Sequence, residues 1–465
     1  MMYFWNNGHP GNHAAFIEEE ETILFSELDR DVQACMEKLH SETKELLFLL
    51  CKNTYSTICL YLAALRGGKT VCLLPASLDP GLLAHLIESY QPEWLAVSDL
   101  NAGGELSGYE TFQHFRSHTL FQRRKVSEHP PIHPELALLL STSGTTGSPK
   151  MVRLSYDNLQ ANASSIVEYL KLNGDHRPIT TLPMSYSYGL SVINSHLLAG
   201  ACTILTEESI VSRTFWDQFN TNRAASIAGV PYTYQMLRRL KFAEMDLPSL
   251  KQMTQAGGRL PADLQRYFGE VCSVRGIEFY VMYGQTEATA RMSYLPPEKM
   301  LTKPGSIGIV IPNGNLRVDE QEELIYAGPN VMLGYAESRG DLKRGDEQHS
   351  VLRTGDLAEF DEDGYCFIKG RLKRFVKPFG LRINLDDIES YLEKKFAGRF
   401  FCVGNDTKIV ILCESEPLLE VARLDTLQRY GLHHSTIKAI RIDDVPILNS
   451  GKTDYSVLQR KAGIE

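Results

Sequence analysis

Long apolar runs, closely spaced cysteine pairs and a surplus of positive charge are all missing from this 465-residue chain. Each absence removes a class of protein. Apolar stretches such as 58–65 fall far short of the roughly 18 residues a bilayer-crossing helix needs, so no membrane span is expected. The nine cysteines contain no Cys-x-x-Cys pair, and an odd number in a long chain reads as buried thiols in a reducing compartment. Lys and Arg number 48 against 57 Asp and Glu, a net charge of −9. Nucleic acid is not an expected partner, because phosphate neutralisation by basic side chains supplies most of that affinity. The first Lys or Arg is Arg30, so the N-terminus lacks the charged start of a secretory or transit signal. A cytoplasmic protein is expected. The patterns G-x-G-x-x-G, G-x-S-x-G and H-E-x-x-H are also absent, and Pro10 and Gly11 break the helical spacing of His9 and His13.

What the chain does have is a composition, 43% hydrophobic and 23% charged, able to build a sizeable core, which excludes disorder. Helical and strand patterns alternate through the first 370 residues, predicting α/β layering. Ser26, Asp29 and then Val32, Cys35, Met36 and Leu39 predict a helix that starts at a Ser26 cap. Segments 46–51, 71–74 and 136–140 read as buried strands, with a helix over 57–65. Segment 368–375 carries four basic groups among eight residues and joins two apolar stretches. A boundary is placed there, giving a large N-terminal α/β domain over 1–372 and a small C-terminal α+β domain over 373–465, with a helix at 386–396 and strands at 400–403 and 409–413.

The strand at 136–140 leads into Ser141-Thr142-Ser143-Gly144-Thr145-Thr146-Gly147-Ser148-Pro149-Lys150. Glycines let backbone N–H groups approach an anion, hydroxyls donate further bonds and Lys150 adds a point charge, so the string suits a phosphate cradle. It is not a Walker loop, since Pro149 precedes Lys150 and 151–154 looks extended. A flexible surface turn is the plainer reading of such residues. Tyr283-Gly284-Gln285-Thr286-Glu287-Ala288 offers a carboxylate and hydroxyl; a hard cation such as Mg²⁺ asks for oxygen ligands of that kind, which Glu287 with Thr286 or Thr142 supplies. Taken singly, Glu287 also reads as a solvated loop acid, Asp356 as a turn-forming Asp and Lys452 as an exposed lysine on a tight turn.

Taken together, these strings, with Arg353-Thr354-Gly355-Asp356, Gly370-Arg371-Leu372-Lys373 and Asn449-Ser450-Gly451-Lys452, resemble in order the five spaced motifs of the acyl-adenylate-forming superfamily: acyl-CoA synthetases, peptide-synthetase adenylation domains and luciferases. The resemblance implies that Tyr283 stacks near adenine, Thr286 lies near the α-phosphate, Glu287 faces Mg²⁺ and Asp356 accepts from the ribose hydroxyls, with Gly284 and Arg371 in the nucleotide site. It implies a catalytic role for Lys452, a hinge at Lys373 about which the small domain moves, and parts for Lys377 and Gly380 in thioester formation. Ala256-Gly257-Gly258 resembles the glycine pair against which adenine and acyl group lie, although a tight turn also explains it. The segment 327–335 matches too and reads as structural, with Gly328 and Gly334 as backbone devices.

Three departures matter, the first two for substrate and the third for the hinge. Tyr186 stands where many acyl-CoA synthetases have a gating His, segment 183–191 holds no acid to pair with an α-amine, and Lys373 replaces the commoner hinge Asp. The expected activity is therefore ATP-dependent conversion of a non-amino fatty or aryl acid to its acyl-adenylate, followed by transfer to the thiol of CoA or of a carrier protein's phosphopantetheine. Tyr186, Tyr188, Val230, Tyr232 and Ala256 are the candidate acyl pocket. The alternatives are an adenylation domain for an unusual amino acid and a non-catalytic nucleotide-binding scaffold.

Overall fold

In the computed structural model, the residues described are 3–6, 8–98, 107–124, 130–141, 150–376, 378, 383–448 and 453–464. Two compact units account for the chain: Met1–Asn315 with Tyr326–Leu352, and Leu316–Ile325 with Arg353–Glu465. Position 372 lies inside the second unit.

In the first unit, the apolar run Leu46–Cys51 is buried at every position and pairs in parallel with both Thr70–Pro75 and Trp94–Ser98. Burial on both faces explains why it shows no alternation. These strands lie within an eight-stranded sheet. Helix Tyr55–Arg66 is apolar on all sides and buried from Tyr55 to Leu65, in a core that takes in Phe16 as well as Leu47 and Leu49. The helix expected to begin at Ser26 instead spans Phe25–Lys38, because the Glu27 carboxylate reaches back to accept the Leu24 N–H at 2.8 Å. A second sheet sets Ser226–Gly229, Gln252–Gln255 and Glu278–Tyr283 side by side in parallel. In such sheets the carboxyl ends of the strands are where ligands bind. Val230, Ala256 and Gly284 are the residues immediately beyond those three ends.

The second unit takes in residues 316–318, 323–325, 353–360 and 366–371 of the strands Asn315–Val318, Glu323–Ala327, Val351–Phe360 and Cys366–Arg371, neighbours in that order. Beyond them, Phe400–Gly404 pairs antiparallel with Ile409–Cys413, which pairs in parallel with Ile437–Arg441. Alternation along these strands buries two faces: Cys402, Ile409 and Ile411 meet Ile388 and Leu392, whereas Phe401, Val403 and Val410 meet Leu458 and Ala462. Helix Leu385–Lys395 is capped by Asn384, whose side-chain oxygen accepts the Asp386 N–H at 2.9 Å. Behind that helix, Arg374 pairs with Asp386 and Glu389, each at 2.6 Å, and Glu389 also accepts from the Tyr455 hydroxyl. Burial pushes the Glu389 carboxyl up to about 7, against the lowering influence of Arg374. All nine cysteines are free and buried. Among the described residues no helix is long and apolar enough to cross a membrane.

Candidate active site

The loop after strand Glu278–Tyr283 is built around a glycine. A Cβ on Gly284 would run into the Ala290 carbonyl, so only glycine lets the chain fold back, closed by Met292 N–H donating to Tyr283 O at 2.9 Å. A single helical turn, Thr286–Ala288, forms within it. Asn330 clamps the loop from the side: its amide donates to the Ala288 and Arg291 carbonyls at 2.7 and 2.9 Å, and its oxygen accepts the Tyr326 hydroxyl at 2.7 Å. The Thr289 hydroxyl donates to Asn330 O at 2.7 Å. So held, Thr286 places its hydroxyl 3.1 Å from that of Ser187. Glu287 accepts the Tyr335 hydroxyl at 3.0 Å, and the Lys150 ammonium lies 4.0 Å from the Tyr335 ring centroid. Burial, with Glu287 next to it, pushes the Tyr335 phenol up, so it stays a donor. No Lys or Arg among the described residues forms an ion pair with Glu287, which leaves its half-buried carboxylate available to a cation. Thr142, Ser143, Gly144, Thr145, Thr146 and Gly147 lie outside the described residues.

The expected acyl residues gather at the neighbouring strand ends, with one exception. Gly257 has φ +83°, and a Cβ there would meet the Tyr186 hydroxyl at 2.5 Å and Val230 at 3.0 Å. Gly258 faces Pro231 in the same way, at 3.2 Å. Tyr186, Tyr188, Val230 and Ala256 belong to one apolar cluster. The Tyr188 hydroxyl is spent on Thr254, donating to its carbonyl at 2.8 Å. Burial pushes both tyrosines up to about 12. Tyr232 does not join them: it is 42% exposed, on a helix, Pro231–Arg239, that buries Thr233, Tyr234, Met236 and Leu237 instead.

In the second unit, Asp356 is 3% exposed on strand Val351–Phe360 and stands directly across from Arg371 in antiparallel register. Arg371 Nε donates to its carboxylate at 3.0 Å, a pairing between two residues expected in the nucleotide site. Arg353 pairs with Asp319 and Glu323. The Arg371 N–H donates to Asp386 at 2.9 Å. Lys373 falls in the helical turn Leu372–Arg374, whereas Lys377, Gly380 and Lys452 lie outside the described residues.

A family model described as AMP-binding enzyme matches residues 3–336. The chain belongs to that family. Among curated relatives of this AMP-binding enzyme, an indoleacetate–CoA ligase of Aromatoleum aromaticum is 30% identical over 57% of this chain and 54% of its own, about half its length. A 2-succinylbenzoate–CoA ligase of Bacillus cereus is 28% identical over 82% of this chain and 80% of its own. Among solved structures, O-succinylbenzoate coenzyme A synthetase (MenE) of Bacillus subtilis in complex with AMP gives a TM-score of 0.75 at 20% identity, covering 95% of this chain and 94% of that one. ATP-bound MatB of Rhodopseudomonas palustris gives 0.75 at 21% identity, covering 98% and 97%. The α/β fold expected from the sequence is thus that of AMP-binding enzymes along nearly the whole chain.

Three residues of the AMP-binding enzyme's candidate site escaped the motif reading. Asn330 and Tyr335 sit in the segment read as structural, and Arg291 follows Glu287 by four residues. A signal existed in each case: a lone polar or charged side chain in an otherwise small and apolar stretch.

Proposed function

We propose that this AMP-binding enzyme converts a carboxylic acid lacking an α-amine to its acyl-adenylate and passes the acyl group to the thiol of CoA. The observation that carries this reading is the placement of Thr286 and Glu287, on a clamped loop, at the same strand ends as Gly257 and the Tyr186–Val230 cluster. In the first step the acid's carboxylate oxygen attacks the α-phosphorus of ATP and pyrophosphate leaves. In the second the thiol sulfur attacks the acyl carbon and AMP leaves.

The chain's own groups meet the electrostatic demands of the first step, in which two anions must approach. Thr286 donates to the α-phosphate, and Lys150 and Lys452 supply cationic charge, acting by preorganisation worth about 3–4 kcal/mol per well-placed donor. Asp356 accepts from the ribose, with Arg371 orienting its carboxylate. Mg²⁺ fits Glu287 on the chemistry of its carboxylate and would be held there with the Thr142 hydroxyl, offsetting phosphate charge. Tyr283 stacks near adenine, which lies against the Gly257–Gly258 pair, and the hydroxyls, glycines and lysine of the 141–150 string take the phosphates. Residues 373–465 turn about Lys373 between the two steps, bringing Lys377 and Gly380 to the thioester reaction.

The relatives' names, CoA ligases of aryl acids, favour CoA over a carrier-protein phosphopantetheine. An α-amino acid is disfavoured twice over: segment 183–191 has no acid to pair with an ammonium, and the cation facing Tyr188 is Arg291. A scaffold role would leave Glu287, Asp356 and Lys452 without a use. Nine buried free thiols suit the reducing cytoplasm.

Pyrophosphate exchange over a panel of acids, followed by thioester formation with CoA, tests the reading. Mg²⁺-dependent exchange with non-amino acids is expected. Exchange with none of the panel overturns acid activation, and exchange confined to α-amino acids overturns the substrate class.

A further inference from the structure

Arg291 is 1% exposed, and its Nε and Nη1 have no hydrogen-bond partner. Its guanidinium lies 3.9 Å from the Tyr188 ring centroid. No carboxylate among the described residues pairs with it; the Tyr169 hydroxyl takes a hydrogen bond from it, and the other groups that sense its charge are Tyr186, Tyr188 and His196, two phenols and an imidazole, so Nε and Nη1 stay unpartnered. The situation is unusual. A carboxylic acid or an amine can shed its charge on burial, but a guanidinium stays protonated at any pH the protein meets. A cation–π contact with Tyr188 supports it from one side and satisfies none of its N–H groups. The other two buried arginines among the described residues each meet a carboxylate: Arg339 pairs with Glu93 at 2.6 Å, and Arg153 donates to the Tyr335 carbonyl at 3.0 Å and to Glu347.

Nothing among the described residues supplies an acceptor for Nε and Nη1. Tyr188, the ring this charge faces, belongs with Tyr186 to the cluster with Val230 and Ala256 that the acyl group is proposed to occupy. We infer that the acid activated here carries a second anionic group, a carboxylate or comparable oxyanion, which binds Arg291 while the first carboxyl is adenylated. The inference rests on the proposed acid activation and narrows its substrate to acids with two anionic ends. Apolar walls with a cation among them favour such a molecule over a plain fatty acid, whose methyl terminus would leave the guanidinium desolvated and unpaired.

Matched pairs in which a methyl replaces one carboxylate test this: succinate with butyrate, glutarate with pentanoate, adipate with hexanoate, isophthalate with 3-methylbenzoate. In pyrophosphate exchange at least one diacid should exceed its methyl partner by about tenfold or more in kcat/KM. In Arg291→Met that preference should fall on the order of 100-fold, mostly through KM, as loss of a buried charge pair predicts. Arg291→Lys, which keeps the charge, should recover part of it. If Arg291→Met does not fold, as judged by its melting curve, the wild-type preferences and Arg291→Lys decide. Methyl partners preferred throughout, or equal losses for both members of a pair in the variants, overturn the inference and leave acid activation standing. Stimulation of butyrate exchange by added formate also overturns it, because the site then takes a free anion. No exchange with any acid fails the proposed function itself.

Discussion

Replacing Asn330 by alanine should damage the site although Asn330 is not itself placed against substrate. The side chain is buried, and both amide hydrogens and the oxygen are bonded to neighbours that are buried as well: two amide bonds to the Ala288 and Arg291 carbonyls and one accepted from the Tyr326 hydroxyl. Leaving a buried polar group unpaired costs about 1–3 kcal/mol, so three such groups, with some relief from water entering the vacated space, give a loss of about 3–5 kcal/mol. That is a large part of the roughly 5–15 kcal/mol by which domains are stable. All three tryptophans, Trp5, Trp94 and Trp216, lie in the first unit, so their fluorescence in a urea titration follows this unit alone. The midpoint should fall with the slope unchanged. Asn330→Asp keeps the oxygen for Tyr326 but removes both donors, and should lie close to the alanine variant. Because the loop carries Thr286 and Glu287, pyrophosphate exchange should also fall in conditions where the variant is still fully folded. A midpoint shift worth less than about 1 kcal/mol, together with unchanged exchange, would refute the clamp.

Other outcomes follow from the same structure. Glu287→Gln keeps an acceptor for the Tyr335 hydroxyl but loses the anionic ligand, so it should fold normally and require more Mg²⁺; wild-type exchange at limiting Mg²⁺ counts against the metal role. Lys452→Ala should slow adenylation on the order of 10²- to 10³-fold while largely sparing transfer from supplied acyl-adenylate, whereas Lys373→Pro should spare adenylation and block transfer; equal losses in both steps for each variant would sink the alternation. Burial holds His196 neutral, with a pKa down to about 4 against an ordinary 6.5, and its Nδ1 faces the Val192 carbonyl with Arg291 and His176 nearby. Above pH 6.5 it is neutral folded or unfolded and contributes nothing; between about 6.5 and 4 the unfolded chain binds the extra proton, and stability falls by about 1.4 kcal/mol per unit of falling pH. His196→Gln should remove that slope from urea titrations at pH 7 and 5, and an unaltered slope would show that another group sets it.

Strands 46–51 and 409–413 were legible to the residue because a run buried on every side needs no partner information to be recognised. Helix starts were less so. Glu27 and Asn384 move them by side-chain-to-backbone bonds that hydrophobic spacing does not encode. Tyr232 is an aromatic candidate only two residues past Val230, but a helix begins between them and rotates it outward. The acidic motif itself was readable, whereas its clamp was not, since Asn330 meets Ala288 and Arg291 across 42 and 39 residues of sequence. Asp356 and Arg371 were each picked separately; that they face each other follows from antiparallel register.

The buried thiols turn the protein into its own pair of clocks. Alkylating reagents attack exposed thiolate; burial denies exposure to all nine and pushes the thiol up in every one but Cys35, whose bond with Cys59 lowers it, with Cys272 and Cys366 pushed up to about 12. Modification therefore waits for the surrounding element to open, and its rate measures how often that happens. Cys35, Cys51, Cys59, Cys72, Cys202 and Cys272 belong to the first unit, and Cys366, Cys402 and Cys413 to the second. A bound molecule that steadies one unit slows the first set or the second, so the pattern of labelled peptides reports which half of the chain has taken hold of it.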